Sequence, residues 1–144
     1  MPRTIIAAAL SAAIAAGLAA APGAAQQTGG SFALELNNAE GVEDGCRLTF
    51  VAENGLGTAL DATSYEVAVF DGDGVVDRLL ILEFGALDAD KTKVVQFDLS
   101  DTTCPAISRI LVNDVAECTA ADGSEPACMD GLALSSRTDI QFDL

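Results

Sequence analysis

The sequence predicts an all-β protein, an antiparallel β-sandwich of about seven strands that follows an N-terminal export signal. Three observations predict this class. Apolar residues after residue 30 recur with a period of two, which is typical of half-buried strands. Turn sequences rich in Gly, Asp and Asn separate the alternating segments, and no helical period accompanies them. All four cysteines lie in the same region, as expected of a small exported domain held by disulfides.

The first 25 residues have the three parts of a signal peptide. Arg3 precedes an apolar run from Ile5 to Ala21, and Gly23 and Ala25 supply the small residues that a signal peptidase recognises. We therefore predict cleavage after Ala25 and a short flexible segment at residues 26–30. The alternative, a membrane anchor, needs about 20 strongly apolar residues, and this alanine-rich run is shorter.

The mature chain is strongly acidic. After the leader, 22 acidic and six basic side chains remain, which gives a net charge of about −16 in a single domain over residues 31–144. Such a charge makes nucleic acid and anionic membrane surfaces poor partners, and we expect no membrane insertion after cleavage. The acidity has three open explanations: a solvated surface, cation binding, or attraction to a basic partner. Because the acidic residues are spread without long runs, the solvated surface is favoured.

Composition removes most enzyme templates. The chain has no histidine, which excludes Ser-His-Asp and Cys-His triads and histidine-ligated metals. It has no tryptophan and one tyrosine, so stacking platforms for sugars are not expected. The cysteines lack the close C-x-x-C spacing of thiolate zinc sites and redox pairs. We therefore predict no catalytic residues and no cofactor.

Two alternating segments open the domain. Residues 31–37 place phenylalanine and two leucines on one face, which predicts the first strand. The acidic, glycine-bearing stretch 40–45 is expected to end it. Residues 46–53 alternate again and predict the second strand, which ends at the turn sequence Asn-Gly-Leu-Gly of residues 54–57.

The next two strands form a predicted hairpin. Residues 63–70 place Tyr65, Val67 and Val69 on one face, which predicts the third strand. The Asp-Gly-Asp-Gly sequence at residues 71–74 is a strong hairpin signal between apolar runs. The following strand, residues 75–84, carries apolar side chains on both faces through residues 79–82. It is therefore either central and covered or part of an interface.

Three further strands complete the pattern. A polar turn leads into a strand that directs Val95, Phe97 and Leu99 inward, and residues 107–115 supply the next. The last, residues 132–144, has the cleanest alternation in the chain, with one buried and one wet face. About seven strands with these turns describe a sandwich of immunoglobulin-like type, and an up-and-down barrel is the alternative.

Part of the chain resembles secreted bacterial immunoglobulin-like accessory domains. Residues 48–55, 65–75 and 84–92 carry the resemblance: Asn54 closes the second strand, a strand meets a hairpin through Asp-x-x-Gly, and a polar turn precedes the fifth strand. The resemblance covers residues 46–99. The whole chain is also similar to small, uncharacterised exported proteins of alphaproteobacteria. Both resemblances imply an exported β-sandwich domain, and neither brings catalytic residues.

The four cysteines are predicted to form two structural disulfides. Cys118 ends the sixth predicted strand and Cys128 precedes the seventh, so a bridge between them would close the intervening loop. Cys46 and Cys104 are then left for each other. Three connectivities are formally open from the cysteine count alone.

Three carboxylates around the hairpin turn are candidate Ca²⁺ ligands. Asp71, Asp73 and Asp77 offer the oxygen atoms that Ca²⁺ prefers. Their spacing does not match an EF-hand loop, in which further ligands and a glycine would stand where this chain has Val75 and Val76. We therefore interpret the turn as a solvated hairpin and predict no metal site.

Two function classes remain. The first is a non-catalytic binding or accessory domain, periplasmic or secreted, that engages another protein through a sheet face or an exposed strand edge. The strand at residues 75–84 favours it, because a large exposed apolar patch marks an interface; burial of residues 79–82 within the monomer would remove this argument. The alternative is a Ca²⁺-binding domain or a carboxylate-based hydrolase, which needs a cleft with two convergent acids.

Overall fold

The computed structural model describes residues 30–144, and the predicted leader lies outside the described residues. So does all but the last residue of the predicted segment 26–30. The described part is all-β, with a single 3-10 turn at Cys104–Ala106, and none of its helices is long and apolar enough to cross a membrane. The strands are β1 Phe32–Val42, β2 Gly45–Asn54, β3 Leu60–Asp71, β4 Val76–Glu83, β5 Thr92–Ser100, β6 Ile107–Ala120, β7 Ala133–Ser136 and β8 Gln141–Asp143.

The eight strands form two four-stranded sheets. The first sheet has the order β5-β2-β1-β7, and the second has the order β4-β3-β6-β8. Neighbouring strands are antiparallel except β7, which runs parallel to β1, and β8, which runs parallel to β6. The sheets are therefore mixed, and the prediction of a purely antiparallel sandwich is wrong at these two pairs.

The predicted last strand, residues 132–144, is two strands in different sheets. β7 lies beside β1, residues 137–140 turn the chain, and β8 lies beside β6. The Ser136 hydroxyl holds the crossing, since it accepts from the Thr138 backbone N–H and donates to the Ile140 carbonyl oxygen at 2.7 Å. Ile140 and Phe142 are still buried, so the alternation continues through the break and does not reveal it.

The strands β1, β3 and β6 are longer than predicted, and β1 and β6 differ most. β1 continues to Val42, with a register shift between Leu36 and Asn38, and pairs with β2 as far as Gly45. β6 continues to Ala120, with several register shifts against β3. Bulges of this kind restore the alternation after a polar residue, so a local break in the pattern does not end the strand.

The core lies between the two sheets, and aromatic rings from both sheets meet there. The ring centroid of Phe50 in β2 lies 5.3 Å from that of Phe142 in β8 and 5.9 Å from that of Phe84, which follows β4. The ring centroids of Phe32 in β1 and Tyr65 in β3 lie 6.0 Å apart. Such pairs contribute about 1 kcal/mol each beyond their burial. The sheets therefore pack face to face as a sandwich.

One buried hydroxyl predicts a stabilising substitution. Thr63 is 1% exposed, and its Oγ1 is the buried side-chain atom that has no hydrogen-bond partner within residues 30–144. An unpaired buried polar group costs about 1–3 kcal/mol, so Thr63→Val, which keeps the shape, is expected to raise the free energy of unfolding by about 1 kcal/mol. Urea denaturation of the variant and the parent measures this change in the free energy of unfolding. Thr63→Ser, which keeps the hydroxyl and loses the methyl group, is the control, and a valine variant less stable than the parent would contradict the prediction.

Candidate functional site

The hairpin turn between β3 and β4 positions the candidate site. The Asp71 backbone N–H donates to the Val75 carbonyl oxygen at 2.9 Å, and Gly74 N–H donates to the Asp71 carbonyl oxygen at 3.1 Å. The Asp71 side chain accepts from the backbone N–H groups of Asp73 and Val75, both at 2.9 Å. Asx turns of this type favour chain reversal, so Asp71 organises the turn that sends β4 back along β3.

β4 lies at the edge of the second sheet, where it pairs with β3 on one side. Its side chains divide between the interior and the exterior. Leu82 is 2% exposed and Leu80 is half-buried, whereas Leu79 is 59% and Ile81 is 46% exposed. The strand is therefore not central and covered, and residues 79–82 are not all buried within the monomer.

Two valines extend the exposed apolar surface toward the hairpin turn. Val75 is 60% and Val76 is 48% exposed. We call the four exposed side chains Val75, Val76, Leu79 and Ile81 the β4 strip.

The β4 strip borders a small apolar area on the outer face of the second sheet. Residues that are opposite each other on neighbouring strands share a face. Leu79 is opposite Ala68 of β3, which is in turn opposite Leu111 of β6. Ile81 is opposite Glu66, whose carboxylate accepts from the Asn113 side chain. Sequence reasoning identified residues 79–82 but not Glu66, because its place beside Ile81 depends on strand register.

Acidic side chains surround the β4 strip. Asp73 and Asp77 are exposed at the hairpin end of β4, and Glu83 is exposed at its other end. Arg78 is the basic residue within β4, and its Nε donates to the Asp77 carboxylate at 2.6 Å. Since that pair neutralises one acid only, the edge keeps a net negative charge.

Basic side chains hold the β4 edge against the end of β5 and the loop between them. Arg78 Nη1 donates to the Ser100 carbonyl oxygen at 2.9 Å. Lys93 Nζ donates to the Phe84 carbonyl oxygen at 2.7 Å. These contacts join the two edge strands on this side of the sandwich and leave the outer face of β4 open.

The four cysteines form two disulfides, Cys46–Cys104 and Cys118–Cys128, which is the pairing expected from the strand order. The first joins β2 to the 3-10 turn before β6, with Cα atoms 4.9 Å apart, and so links the two sheets. The second closes the loop between β6 and β7, with Cα atoms 6.2 Å apart. Two disulfides in a small domain are typical of an oxidising compartment outside the cytoplasm.

A buried tyrosine fixes the second disulfide loop. The Tyr65 hydroxyl donates to the Cys128 carbonyl oxygen at 2.9 Å, and Tyr65 is fully buried. Burial raises the pKa of Tyr65, because the phenolate would be desolvated, so the hydroxyl stays protonated and available as the donor. The sequence shows Tyr65 as a strand residue but carries no signal for this contact across 63 positions.

Two of the three candidate Ca²⁺ ligands, Asp71 and Asp77, have protein partners. Asp71 accepts from two backbone N–H groups of the turn, and Asp77 pairs with Arg78. Throughout the described residues, no group of three Cys, Asp or Glu side chains is placed to hold a metal ion. The turn is therefore organised by its own hydrogen bonds.

Two clefts of the described region are open to solvent and bear on the hydrolase alternative. One of about 660 Å³ lies at the crossing from β7 to β8, where the single lining carboxylate is that of Asp139. Another, of about 400 Å³, is lined by Glu43, Asp44 and Asp101, all of which are exposed to solvent. A carboxylic acid that donates a proton near neutral pH needs a desolvating pocket, which exposed acids lack. These clefts do not favour the hydrolase alternative.

Comparison with known proteins provides no relative from which a function could be inferred. The function is therefore inferred from the geometry of residues 30–144. The resemblance to immunoglobulin-like accessory domains stays a prediction from the sequence. The chain matches no protein-family model, no curated protein and no solved structure.

Proposed function

We propose that this protein is a non-catalytic binding or accessory domain of immunoglobulin-like type, periplasmic or secreted, that engages another protein at the β4 edge. One observation carries the proposal: β4 is an edge strand with Leu79 and Ile81 59% and 46% exposed. Edge strands are templates for pairing with another chain, and proteins usually protect them with charges, prolines or bulges along the strand. The charges of β4 lie toward its ends, and the exposed apolar residues in its middle favour a partner that covers them.

The length of β4 suits strand addition. Its eight residues provide an edge of about 26 Å, and among the strands of residues 30–144 only β3 pairs with it. In strand addition, the main-chain hydrogen bonds supply affinity and alternate side chains supply specificity. Leu79 and Ile81 would contact the partner's side chains on the outer face of the sheet. The added strand would also cover the part of Leu80 that is exposed at the sheet edge.

The proposed location follows from two features that support each other. The disulfides Cys46–Cys104 and Cys118–Cys128 persist in oxidising compartments. The predicted leader, residues 1–25, supplies the route to such a compartment. A partner of this domain is therefore another exported protein.

A photo-crosslinking experiment in the native host tests the proposal. With a photoreactive amino acid at position 79, we expect adducts with one protein or a few. Ile81→Lys should reduce them by about tenfold or more, because a charge would be buried against apolar side chains. Val94→Lys is the matched control, since Val94 is 62% exposed on β5, one of the two edge strands of the first sheet.

Two outcomes would contradict the proposed function. One is that a crosslinker at Gln96, also exposed on β5, gives the same adducts as position 79. The other is that Ile81→Lys and Val94→Lys reduce the adducts equally. Thermal denaturation of both variants shows whether the fold is retained, since exposed substitutions typically change stability by about 0.5 kcal/mol or less.

A further inference from the structure

We propose that the partner segment at the β4 edge is a cationic amphipathic strand, with apolar residues in its middle and a Lys or Arg near each end. This inference rests on the proposed function, because it specifies the partner of the same edge. It goes further by assigning roles to the acidic side chains that border the β4 strip.

The charge around the edge is predominantly negative. Residues 60–83, which form β3, the hairpin turn and β4, contain six acidic side chains and one basic one. The basic one, Arg78, is paired with Asp77 and also donates to a backbone carbonyl oxygen. A strand that docks here meets a negative potential, which favours basic side chains and disfavours acidic ones.

The positions of the acids set the pattern of the partner. Asp77 and Glu83 lie six residues apart in β4, a distance of about 20 Å along an extended strand. The exposed apolar residues Leu79 and Ile81 lie between them. A partner strand of about seven residues therefore places its basic residues at the two ends and its apolar residues against the β4 strip.

A second copy of this chain does not fit the same edge. If two β4 strands paired antiparallel with their Leu80 residues opposite each other, Asp77 of one copy would be opposite Glu83 of the other. Like charges directly opposite each other destabilise a sheet, and each mature chain carries a net charge of about −16. The charge pattern therefore favours a different, basic chain.

Short peptides test the inference with the purified protein. The probe is Lys-Thr-Val-Thr-Val-Thr-Lys, which places both lysines and both valines on the face that meets Asp77, Leu79, Ile81 and Glu83, and its charge-reversed form has Glu at both ends. A third peptide carries Pro in place of the central Thr, which removes a main-chain donor and blocks pairing. We expect the lysine peptide to shift the NMR signals of β4, and to bind about tenfold or more tightly than either control at roughly 50 mM salt.

Matched protein variants assign the effect to the edge. The double variant Asp77→Asn/Glu83→Gln should weaken lysine-peptide binding by about tenfold. The pair Glu40→Gln/Glu53→Gln removes the same total charge from exposed positions of the first sheet and should leave binding unchanged. Equal losses in both pairs would mean that only the net charge attracts the peptide, which overturns the inference.

The remaining outcomes separate this inference from the proposed function. Equal affinity for the lysine and glutamate peptides, unweakened binding of the proline peptide, or no binding of any peptide overturns the cationic partner. Crosslinks at position 79 that persist in that case leave the β4 edge as the interface. A dimer in light scattering that Ile81→Lys dissociates would overturn the cationic partner in favour of a second copy.

Discussion

Removing the disulfide between β2 and the 3-10 turn, with Cys46→Ala/Cys104→Ala, is expected to lower the free energy of unfolding by about 4 kcal/mol. The two cysteines are 58 residues apart, so the bridge restricts a long segment of the unfolded chain. It also links the two sheets, and Cys46 is fully buried in the core. Folding stability should therefore depend on this bridge more than on the other.

The matched comparison is Cys118→Ala/Cys128→Ala. This bridge spans 10 residues, and the same loop-entropy argument predicts a loss of about 2.5 to 3 kcal/mol. Urea denaturation of both variants, with midpoints and slopes compared, measures the difference. A larger loss in the short-loop variant would show that restriction of the unfolded chain does not govern the effect.

The second large effect is expected at Asn54, which is fully buried at the end of β2. Its Nδ2 donates to the carbonyl oxygens of Thr58 at 2.8 Å and Leu87 at 3.0 Å, and its Oδ1 accepts from Leu56 N–H at 3.1 Å. Asn54→Ala removes the partners of the Thr58 carbonyl oxygen and the Leu56 N–H, whereas the Leu87 carbonyl oxygen still accepts from the Leu60 N–H. With a cost of about 1–3 kcal/mol for each unsatisfied group, we expect a total loss of about 3 kcal/mol after partial relaxation.

Two further variants make the Asn54 prediction specific. Asn54→Asp keeps the acceptor but places a carboxylate against carbonyl oxygens, so it should be at least as destabilising as Asn54→Ala. Asn38→Ala removes an exposed asparagine of β1 and should change the free energy of unfolding by about 0.5 kcal/mol or less. A mild effect of Asn54→Asp would show that the donors of Asn54 are not needed.

The β3–β4 hairpin and the Cys118–Cys128 disulfide are parts of the fold that the sequence predicts well. The Asp-Gly-Asp-Gly sequence after Phe70 forms the expected turn, because its hydrogen bonds lie within residues 71–75. The pairing of Cys118 with Cys128 also follows from neighbours in the chain. Both features depend on short segments, so local sequence carries enough information to predict them.

The end of the chain shows where local sequence is insufficient. Alternation over residues 132–144 predicts one strand, but the chain leaves β1 after Ser136 and joins β6 at Gln141. Both sheets bury their inner faces in one core, so Ile140 and Phe142 keep the phase of the earlier residues. A period of two reports which side chains face the core, not which sheet contributes them.

The candidate site is divided in the same way. The sequence by itself determined that residues 75–84 form a strand with apolar side chains on both faces, because alternation and turn residues act over a few positions. Only the tertiary structure decided that β4 is an edge, that Leu79 and Ile81 are exposed, and that Glu66 lies beside them. Those properties depend on how distant strands pair, and the free energy of the whole sheet sets that pairing.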